Sequence, residues 1–376
     1  MKDFNLLQII PSLDSGGAEQ GTIDLANLIG EKNIGSFVVS NGGRLTTHLR
    51  KDKVKHFNLP VHSKNFFKMP KIAKKIKKII TKNKINIVHV RSRAPAWMLT
   101  MIKNKNFKTV STFHNIYNSQ NFIKLFYNKS MTKVDHIVAI SNFVKSSIVE
   151  KYKISPKKIK VIYRGIDEIF FDPNNHNENI FPQFLNKFNI PSEKKIILFP
   201  GRLTRWKGQI EFLNIVESLK NENIMCYFIG DDKNESYASK LIKEIEKKNI
   251  KEKCKILGNL NQEELKMMYK CSDVIISAPI EPEGFCRTVS ESLAMKKIIL
   301  CYNYGGAADQ IEKLDPIYKV NPLNQDELLE KILNSFKLSN EFINNIGLHS
   351  RNHVINNFSK SKMTNEYLDF YKNTVL

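Results

Sequence analysis

Short runs of β-branched and other apolar residues alternate along the chain with longer amphipathic stretches. The apolar runs cover residues 4–10, 36–40, 85–90, 109–113, 135–141 and 159–163 in the first half, and 195–201, 224–230, 254–258, 273–278 and 297–302 in the second. Continuous apolar strands separated by helical segments are typical of parallel sheets with helices on both faces. The pattern therefore predicts an α/β fold of two Rossmann-like, doubly wound domains, and 376 residues are enough for two.

A polar segment rich in Pro and Asn separates the two series of apolar runs. We therefore expect an N-terminal domain over residues 1–171, a linker over residues 172–192 and a C-terminal domain over residues 193–358. The remaining residues, 359–376, place apolar side chains at roughly helical spacing. This spacing predicts a last helix that docks one face on a neighbouring surface.

Composition argues against several classes of protein. No apolar run reaches the roughly 18 residues needed to span a bilayer. The first ten residues carry polar side chains within their apolar stretch, so they are interpreted as a strand and not as an export signal. Five cysteines without CxxC spacing argue against a disulfide framework or a structural zinc site, and a reducing cytoplasm is the expected compartment.

Positive charge is concentrated in the first half of the chain. Residues 1–170 hold 31 Lys and Arg against 10 Asp and Glu, whereas residues 171–376 hold 28 against 27. Such a field attracts polyanions, either nucleic acid or the anionic headgroups of a membrane. The chain contains 50 Lys and only 9 Arg, so a composition rich in Lys throughout is an alternative explanation.

Candidate chemistry follows the predicted strands, because ligands of open parallel sheets bind outside the carboxyl ends of the strands. Gly16 and Gly17 predict a tight turn whose N–H groups open a helix and stabilise an anion, although such a turn can be only a connection. Arg202 and Lys207 follow the first strand of the C-terminal domain. They offer a planar fork and a point charge to a diphosphate, with a solvated basic loop as the alternative.

Two carboxylates follow a later strand of the same domain. Glu283 is expected in a loop and Glu291 about one turn inside the next helix, so that both can accept hydroxyl donors from a sugar diol. The backbone N–H groups of Gly284, Phe285 and Cys286 are expected to open that helix and hold hydroxyls or phosphate oxygens. A hydrolase, or a first-turn carboxylate that only stabilises its helix, is the alternative.

Eight segments occur in an order that resembles one large enzyme family. They are SGGAE (15–19), TFHN (112–115), RGID (164–167), GRLTRWKGQ (201–209), IGDD (229–232), LG (257–258), EPEGFCRTVSE (281–291) and YGGAADQI (304–311). Together they resemble the GT-B retaining glycosyltransferases called family 4, or group 1, over nearly the whole chain. The resemblance implies two Rossmann-like domains that face each other across a cleft, with the C-terminal helix, 359–376, packed back on the N-terminal domain.

The resemblance also implies a role for each candidate residue. Catalytic roles fall to Arg202, Lys207, Glu283 and His114, and donor-binding roles to Gly16, Gly17, Glu291, Gly284, Phe285 and Cys286. Arg202 and Lys207 would bind the donor diphosphate near the glycine turn, and Glu291 would bind the ribose. Glu283 and the three amides after it would hold the transferred sugar, which His114 contacts from the other domain; a satisfied structural histidine is the alternative.

Two positions depart from the family pattern. Cys286 stands where Gly is usual, and we expect its side chain beside the sugar, where it would alter donor choice. Arg164 stands where Asn is usual and places another cation near the expected hinge.

The resemblance implies a hexosyltransferase-type enzyme that transfers a sugar, with retention, from a nucleotide-diphosphate-sugar to an acceptor hydroxyl. Glycolipid, lipopolysaccharide or polysaccharide synthesis in the cell envelope is the expected setting. No metal or other cofactor is expected, and Asp231 with Asp232 is interpreted as a turn or cap. An epimerase or inverting transferase of the same fold is the alternative. A nucleic-acid-binding protein is more remote, since no binding module is recognisable and nucleic acid is not an expected partner.

Residues 71–84 predict a helix with isoleucines on one face and seven lysines elsewhere. In one interpretation the lysines form a solvated face. In the other, this face and nearby Phe66 and Phe67 rest on an anionic leaflet at the inner face of the cytoplasmic membrane. That contact would present the enzyme to a glycan or lipid-linked acceptor.

Overall fold

The computed structural model describes residues 4–14, 16–103, 106–117, 121–175, 180–230 and 235–375. The chain forms two compact units. The first contains Met1–Gly165 and Lys360–Leu376, and the second contains Ile166–Ser359. Each unit is built on one parallel sheet with helices between its strands, so the predicted fold class is confirmed.

The strands are β1 (Asn5–Ile9), β2 (Gly35–Ser40), β3 (Val54–Asn58), β4 (Ile87–Val90), β5 (Lys108–Phe113), β6 (His136–Ala139), β7 (Ile159–Val161), β8 (Lys195–Pro200), β9 (Ile224–Ile229), β10 (Cys254–Gly258), β11 (Val274–Ser277), β12 (Ile298–Tyr302) and β13 (Lys319–Val320). The first sheet has the order β3-β2-β1-β4-β5-β6-β7 and the second the order β10-β9-β8-β11-β12-β13. In each sheet the first three strands are added towards one edge and the later strands towards the other edge. The strand order therefore reverses between β1 and β4 in the first sheet and between β8 and β11 in the second. These are the topological switch points at which open α/β sheets bind ligands.

The α-helices are α1 (Gly17–Glu31), α2 (Met69–Lys82), α3 (Arg93–Thr100), α4 (Phe122–Asn128), α5 (Asn142–Tyr152), α6 (Ile180–Phe188), α7 (Gln209–Ser218), α8 (Glu235–Lys247), α9 (Gln262–Cys271), α10 (Arg287–Ala294), α11 (Gly305–Ile311), α12 (Gln325–Ser335), α13 (Asn340–Phe358) and α14 (Lys360–Phe370). A π-helical turn, Tyr371–Val375, follows α14. Short 3₁₀ helices cover Arg44–His48, Lys129–Thr132, Pro156–Lys158, Arg205–Lys207, Lys251–Lys253 and Pro316–Tyr318.

The core of the first unit includes the C-terminal segment. Apolar side chains of the sheet, of α1, of α14 and of the turn after α14 form one buried cluster that contains Leu6, Leu25, Ile87, Val110, Val138, Met363, Tyr367 and Tyr371. The helical spacing of apolar residues in the tail is therefore the spacing of side chains buried in this core. Helix α2 buries Ile72, Ile76 and Ile80 and leaves its lysines exposed.

The boundary between the units differs from the expected one. The first unit ends at Gly165 and not at residue 171, and the expected linker, 172–192, lies in the second unit. That segment includes α6, which buries Phe184 and carries its proline in the first turn, where a missing N–H group leaves no intrahelical bond unmade. Among the described residues, no helix is both long and apolar enough to cross a membrane.

Candidate active site

Two loops of the second unit lie at its topological switch point. The first follows β8 and contains Gly201, Arg202 and Lys207, and the second follows β11 and contains Glu283. Gly201 has φ +150°, and a Cβ atom there would lie 3.4 Å from Cε of Lys207. That distance is an ordinary contact, so it is the backbone conformation of Gly201, and not the space beside it, that favours glycine.

Trp206 gathers the two cations of the first loop. The Arg202 guanidinium lies 5.6 Å and the Lys207 ammonium 4.7 Å from the centre of its ring. Cations at this distance from an indole face are attracted by the negative π surface. The ring thus holds two cations beside one strand end, with Arg202 exposed and Lys207 largely covered.

Lys207 is also paired with Glu283. Its Nζ atom lies 2.5 Å from Oε1 of Glu283, and both side chains are only about an eighth exposed, at 12% and 13%. An ion pair so little exposed costs solvation on both sides, and separating it requires another partner for each charge. A phosphate oxygen for Lys207 and a hydroxyl donor for Glu283 would supply those partners.

The YGG segment, residues 304–306, packs against the Glu283 loop. The Gly306 N–H donates to the carbonyl oxygen of Glu283 at 2.7 Å. A Cβ atom on Gly306 would lie 2.2 Å from the carbonyl oxygen of Gly284, which is too close for any side chain. The Tyr304 hydroxyl donates to the carbonyl of Pro279 at the start of the loop. The YGG segment is therefore the support on which the Glu283 loop rests.

Helix α10 carries Glu291 in a buried position. Its Oε2 atom accepts from the Tyr269 hydroxyl at 2.9 Å, and its Oε1 atom lies 2.8 Å from the Arg287 guanidinium. The side chain is 7% exposed. Burial raises the pKa of Tyr269 well above its usual value, so this hydroxyl stays a donor to the carboxylate.

Cys286, whose side chain we expect beside the sugar, lies at the N-terminal end of α10. Its side chain is buried and its Sγ atom lies 3.3 Å from Oγ of Ser277, so the thiol faces β11. Burial raises the pKa of the thiol to about 11, which keeps it neutral. Phe285 is buried too and packs on Phe358. Only the backbone of Gly284, Phe285 and Cys286 remains for a ligand, and α10 begins after Cys286, which is its N-cap.

Gly16 and Gly17 lie after β1 in the first unit, as predicted. Gly16 is the N-cap of α1 with φ +126°, a conformation that favours glycine, and Gly17 is the first helical residue. A Cβ atom on Gly16 would lie 2.6 Å from Oε2 of Glu19, which is half-buried in the first turn. The Glu19 carboxylate lies in the electrostatic range of Arg164. Ser15 of the same motif lies outside the described residues.

His114 follows β5 and is hydrogen-bonded to Arg164. Nη2 of Arg164 lies 3.0 Å from Nδ1 of His114, and a guanidinium can only donate. Nδ1 is therefore the acceptor and the neutral ring carries its proton on Nε2. That atom is buried and has no hydrogen-bond partner among the described residues.

The structure thus groups the candidate residues into two clusters, one in each unit. Arg202, Lys207 and Glu283 form the cluster of the second unit, with Glu291 buried in the helix that follows the Glu283 loop. The Gly16 turn and His114 are connected in the first unit through Glu19 and Arg164. Asp231 and Asp232 lie outside the described residues. Within the described ranges no three His, Cys, Asp or Glu side chains are arranged to hold a metal ion.

Sequence reasoning missed several supporting residues. Arg287 stands four residues before Glu291, a helical spacing that could have identified the pair. Trp206 lies between the two cations in GRLTRWKG and was open to the same reasoning. Tyr269 gives no local signal, because it lies 22 residues from the carboxylate it binds.

Two family profiles match the chain, one in each half. The family profile Glycosyltransferase Family 4 matches residues 15–169, and the profile Glycosyl transferases group 1 matches residues 181–352.

Relatives of known structure or curated function match along most of the chain. A glycosyltransferase from Rickettsia africae ESF-5 is 37% identical, with a TM-score of 0.90 over 99% of this chain and 98% of that one. The N-acetylgalactosamine-N,N'-diacetylbacillosaminyl-diphospho-undecaprenol 4-alpha-N-acetylgalactosaminyltransferase of Campylobacter jejuni is 27% identical over 317 residues, which is 80% of this chain and 81% of that protein. An uncharacterized glycosyltransferase of Methanocaldococcus jannaschii is 26% identical over 243 residues, which is 63% of this chain and 59% of that protein.

The fold extends to more distant proteins. Anabaena HepE in complex with UDP-glucose has a TM-score of 0.82 over 98% of this chain at 16% identity, a likeness of fold. Two Rossmann-like domains and these relatives define an enzyme of the GT-B class that transfers sugars. The chain belongs to the group 1 glycosyltransferases, also called family 4.

Proposed function

We propose that the chain transfers a sugar, with retention of anomeric configuration, from a nucleotide-diphosphate-sugar to an acceptor hydroxyl. The observation that carries the proposal is the cluster of Arg202, Lys207 and Glu283 at the switch point of the second sheet. Two cations beside a carboxylate fit a sugar diphosphate, which presents negative oxygens next to hydroxyl donors.

In the proposed reaction the bond between the anomeric carbon and the diphosphate oxygen breaks while the acceptor oxygen bonds to the same face of that carbon. The acceptor proton passes to the departing diphosphate oxygen, so the products are a nucleoside diphosphate and a glycosylated acceptor. Lys207 and Arg202 stabilise the charge that develops on the leaving group. Glu283 and Glu291 accept hydroxyls of the sugar and of the ribose.

No metal or other cofactor is part of this proposal. The charge of the leaving diphosphate is balanced by Arg202, Lys207 and the N–H groups before α10. Activity that is unchanged by a chelator of divalent cations would support this assignment, and activity restored only by added Mg²⁺ or Mn²⁺ would contradict it.

The donor base is tested by thermal shift against UDP, GDP, ADP and CDP. The likeness of fold to HepE, which binds UDP and UDP-glucose, makes uridine the first base to examine. A ligand that binds only the folded state raises its stability by mass action, so the matching diphosphate raises the melting temperature. No shift with any of the four would contradict nucleotide-sugar binding.

Stereochemistry is tested on the product. Proton NMR of the new glycosidic linkage distinguishes retention from inversion. A reaction without acceptor that changes the donor sugar would instead favour an epimerase.

We infer that the acceptor is lipid-linked and used in cell-envelope synthesis. The Campylobacter relative acts on a saccharide carried by diphospho-undecaprenol, which supports an acceptor with a lipid anchor. Capsular polysaccharide biosynthesis, the process to which a Staphylococcus aureus relative belongs, supports the same setting.

A surface of the first unit fits contact with an anionic bilayer. Phe67, Phe122 and Ile123 are 95%, 80% and 77% exposed, values far above those of ordinary apolar side chains. Beside them Phe66 and Phe126 line a pocket of about 430 Å³ whose rim includes Lys64 and Lys124. Exposed apolar side chains with lysines beside them match the interface between acyl chains and anionic headgroups.

We therefore assign the proposed membrane contact to the exposed apolar side chains in and near α4 and not to the lysine face of α2. We expect the double variant Phe67→Ser/Phe122→Ser to lose sedimentation with anionic liposomes at low salt. Leu348→Ser, which removes a 51% exposed apolar side chain from the second unit, is the matched control and should sediment like the wild type. Equal loss in both variants, or sedimentation that does not depend on anionic lipid, would contradict the assignment.

A further inference from the structure

Two buried histidines of the first unit differ in how their ring nitrogens are satisfied. His89 is hydrogen-bonded at both: Nδ1 lies 2.6 Å from the Tyr371 hydroxyl and Nε2 lies 2.7 Å from Oγ1 of Thr112. His114 is bonded at Nδ1 only, and its buried Nε2 has no partner among the described residues. Buried polar atoms without a partner are uncommon and costly, so this one indicates a position for a ligand.

The hydrogen-bond partner of Nδ1 determines which ring nitrogen of His114 carries the proton. A guanidinium has only N–H donors, so the contact with Arg164 requires an acceptor lone pair on Nδ1. A neutral imidazole that accepts at one nitrogen donates from the other. His114 therefore presents an N–H group at Nε2 and has no free nitrogen with which to take a proton from a substrate.

We propose that Arg164 is a positioning residue that fixes His114 as a neutral hydrogen-bond donor, with its proton on Nε2, for a hydroxyl or phosphate oxygen of the bound substrate. The proposal rests on the transferase function for the identity of that substrate. The tautomer itself is a property of the free protein.

The positive charges around His114 also favour the neutral form of its ring. Burial, and then the cations Arg164 and Arg91, hold the pKa of His114 well below its usual value, and His89 adds to this effect. Glu19 faces Arg164 from α1 and offsets part of its charge. Because the guanidinium stays charged at every physiological pH, the donor state of His114 does not depend on pH in that range.

The test is the ¹⁵N NMR spectrum of the imidazoles in the full chain labelled at histidine, with His114→Asn used to assign the signals. We expect wild-type His114 to show the Nε2–H tautomer and no titration from pH 8 to about pH 5.5, well below the usual value near 6.5. In Arg164→Met the ring should populate both tautomers and titrate nearer that usual value. Arg164→Lys, which keeps a cationic donor, should resemble the wild type.

His89 is the internal control, because both of its nitrogens are bonded within the first unit and its signals should not change in either variant. A wild-type spectrum with the proton on Nδ1 would overturn the proposal without any variant. An Arg164→Met spectrum identical to the wild type at His114 would overturn it as well. The spectra need no donor sugar, so failure of the transferase assay and failure of this proposal are separate results.

Discussion

The two units use the same kind of sheet but balance charge differently. The first unit holds 34 Lys and Arg against 10 Asp and Glu, whereas the second holds 25 against 27. At the strand ends of the second unit, cations are already paired with carboxylates, as Lys207 with Glu283 and Arg287 with Glu291.

At the strand ends of the first unit the arrangement is different. Arg164 is bonded to a neutral histidine, His114, in surroundings where Arg91 adds a further positive charge. A polar ligand of the second unit would therefore replace one charged side chain as the partner of the other in an existing ion pair. In the first unit it would instead accept a hydrogen bond from His114, whose protonation is fixed by Arg164.

The largest effect is expected from Lys207→Ala. Losing one preorganised group that stabilises developing charge commonly lowers the rate by about 10²- to 10³-fold, and Glu283 would also lose its partner. The measurement is kcat with saturating donor, with circular dichroism to check the fold. Lys247→Ala, which removes a lysine that is 77% exposed, is the control and should keep wild-type turnover. Equal turnover in both variants would remove Lys207 from the mechanism.

The second prediction is that acid destabilises the first unit more than the second. Burial lowers the pKa of His89 and His114 well below the usual value, so below about pH 6.5 the unfolded chain binds protons that the folded chain does not. Stability therefore falls as pH falls, by at most about 1.4 kcal/mol per pH unit for each histidine while it stays neutral. Half-buried His353 has a lowered pKa in the second unit, where we expect a smaller loss.

The chain has two tryptophans, Trp97 in the first unit and Trp206 in the second. Single-tryptophan variants, Trp206→Phe and Trp97→Phe, therefore follow urea unfolding of each unit separately. Between pH 7.5 and 5.5 the midpoint reported by Trp97 should fall further than that reported by Trp206. A larger fall at Trp206 would contradict the assignment of buried neutral histidines to the first unit.

The third prediction uses one helical glycine from each unit. Gly306→Ala would place Cβ 2.2 Å from a backbone oxygen of the Glu283 loop, and relieving that overlap should cost about 1–3 kcal/mol. Gly21→Ala in α1 meets only Met363, at 3.7 Å, and should raise stability by about 0.5–1 kcal/mol. Thermal unfolding measures both, and a stabilising Gly306→Ala would show that the loop does not rest on this glycine.

The smallest effect concerns Cys286→Ala. Because the thiol is buried against Ser277, we expect a loss of about 1 kcal/mol in stability from the smaller side chain and unchanged preference among donor sugars. Competition between two donors in one reaction mixture measures the preference. A clear change of donor would instead support the expectation, drawn from sequence, that this side chain lies beside the sugar.

Sequence reasoning predicted eleven strands close to where they lie, because buried parallel strands are continuous apolar runs. It missed β3, an edge strand whose sequence VKHFN has only two apolar residues, and the two-residue β13. It also interpreted α6 as linker, because nearby Pro and Asn outweighed a short helical pattern.

In the candidate site too, features set by neighbouring residues could be predicted from sequence, whereas contacts between residues far apart in sequence could not. Glycine turns, strand ends and the positions of Arg202 and Glu283 follow from local sequence. The pairing of Lys207 with Glu283 does not, because 76 residues separate them. The direction of the Cys286 side chain could not be predicted either, because Cys286 lies in a loop, where no periodic pattern shows which side chains are buried. The bond between Arg164 and His114 spans 50 residues and connects two motifs that looked independent.

Trp206 can report directly on the proposed binding of a diphosphate by Arg202 and Lys207, because both cations lie close to its ring. The measurement is the emission of Trp206 in the Trp97→Phe variant during titration with UDP, GDP, ADP and CDP and with the matching monophosphates. We predict a saturable change with at least one diphosphate that is weaker with its monophosphate and is lost when Lys207→Ala is added. No change with any of the four diphosphates, or the same change with and without Lys207, would contradict diphosphate binding by these two cations.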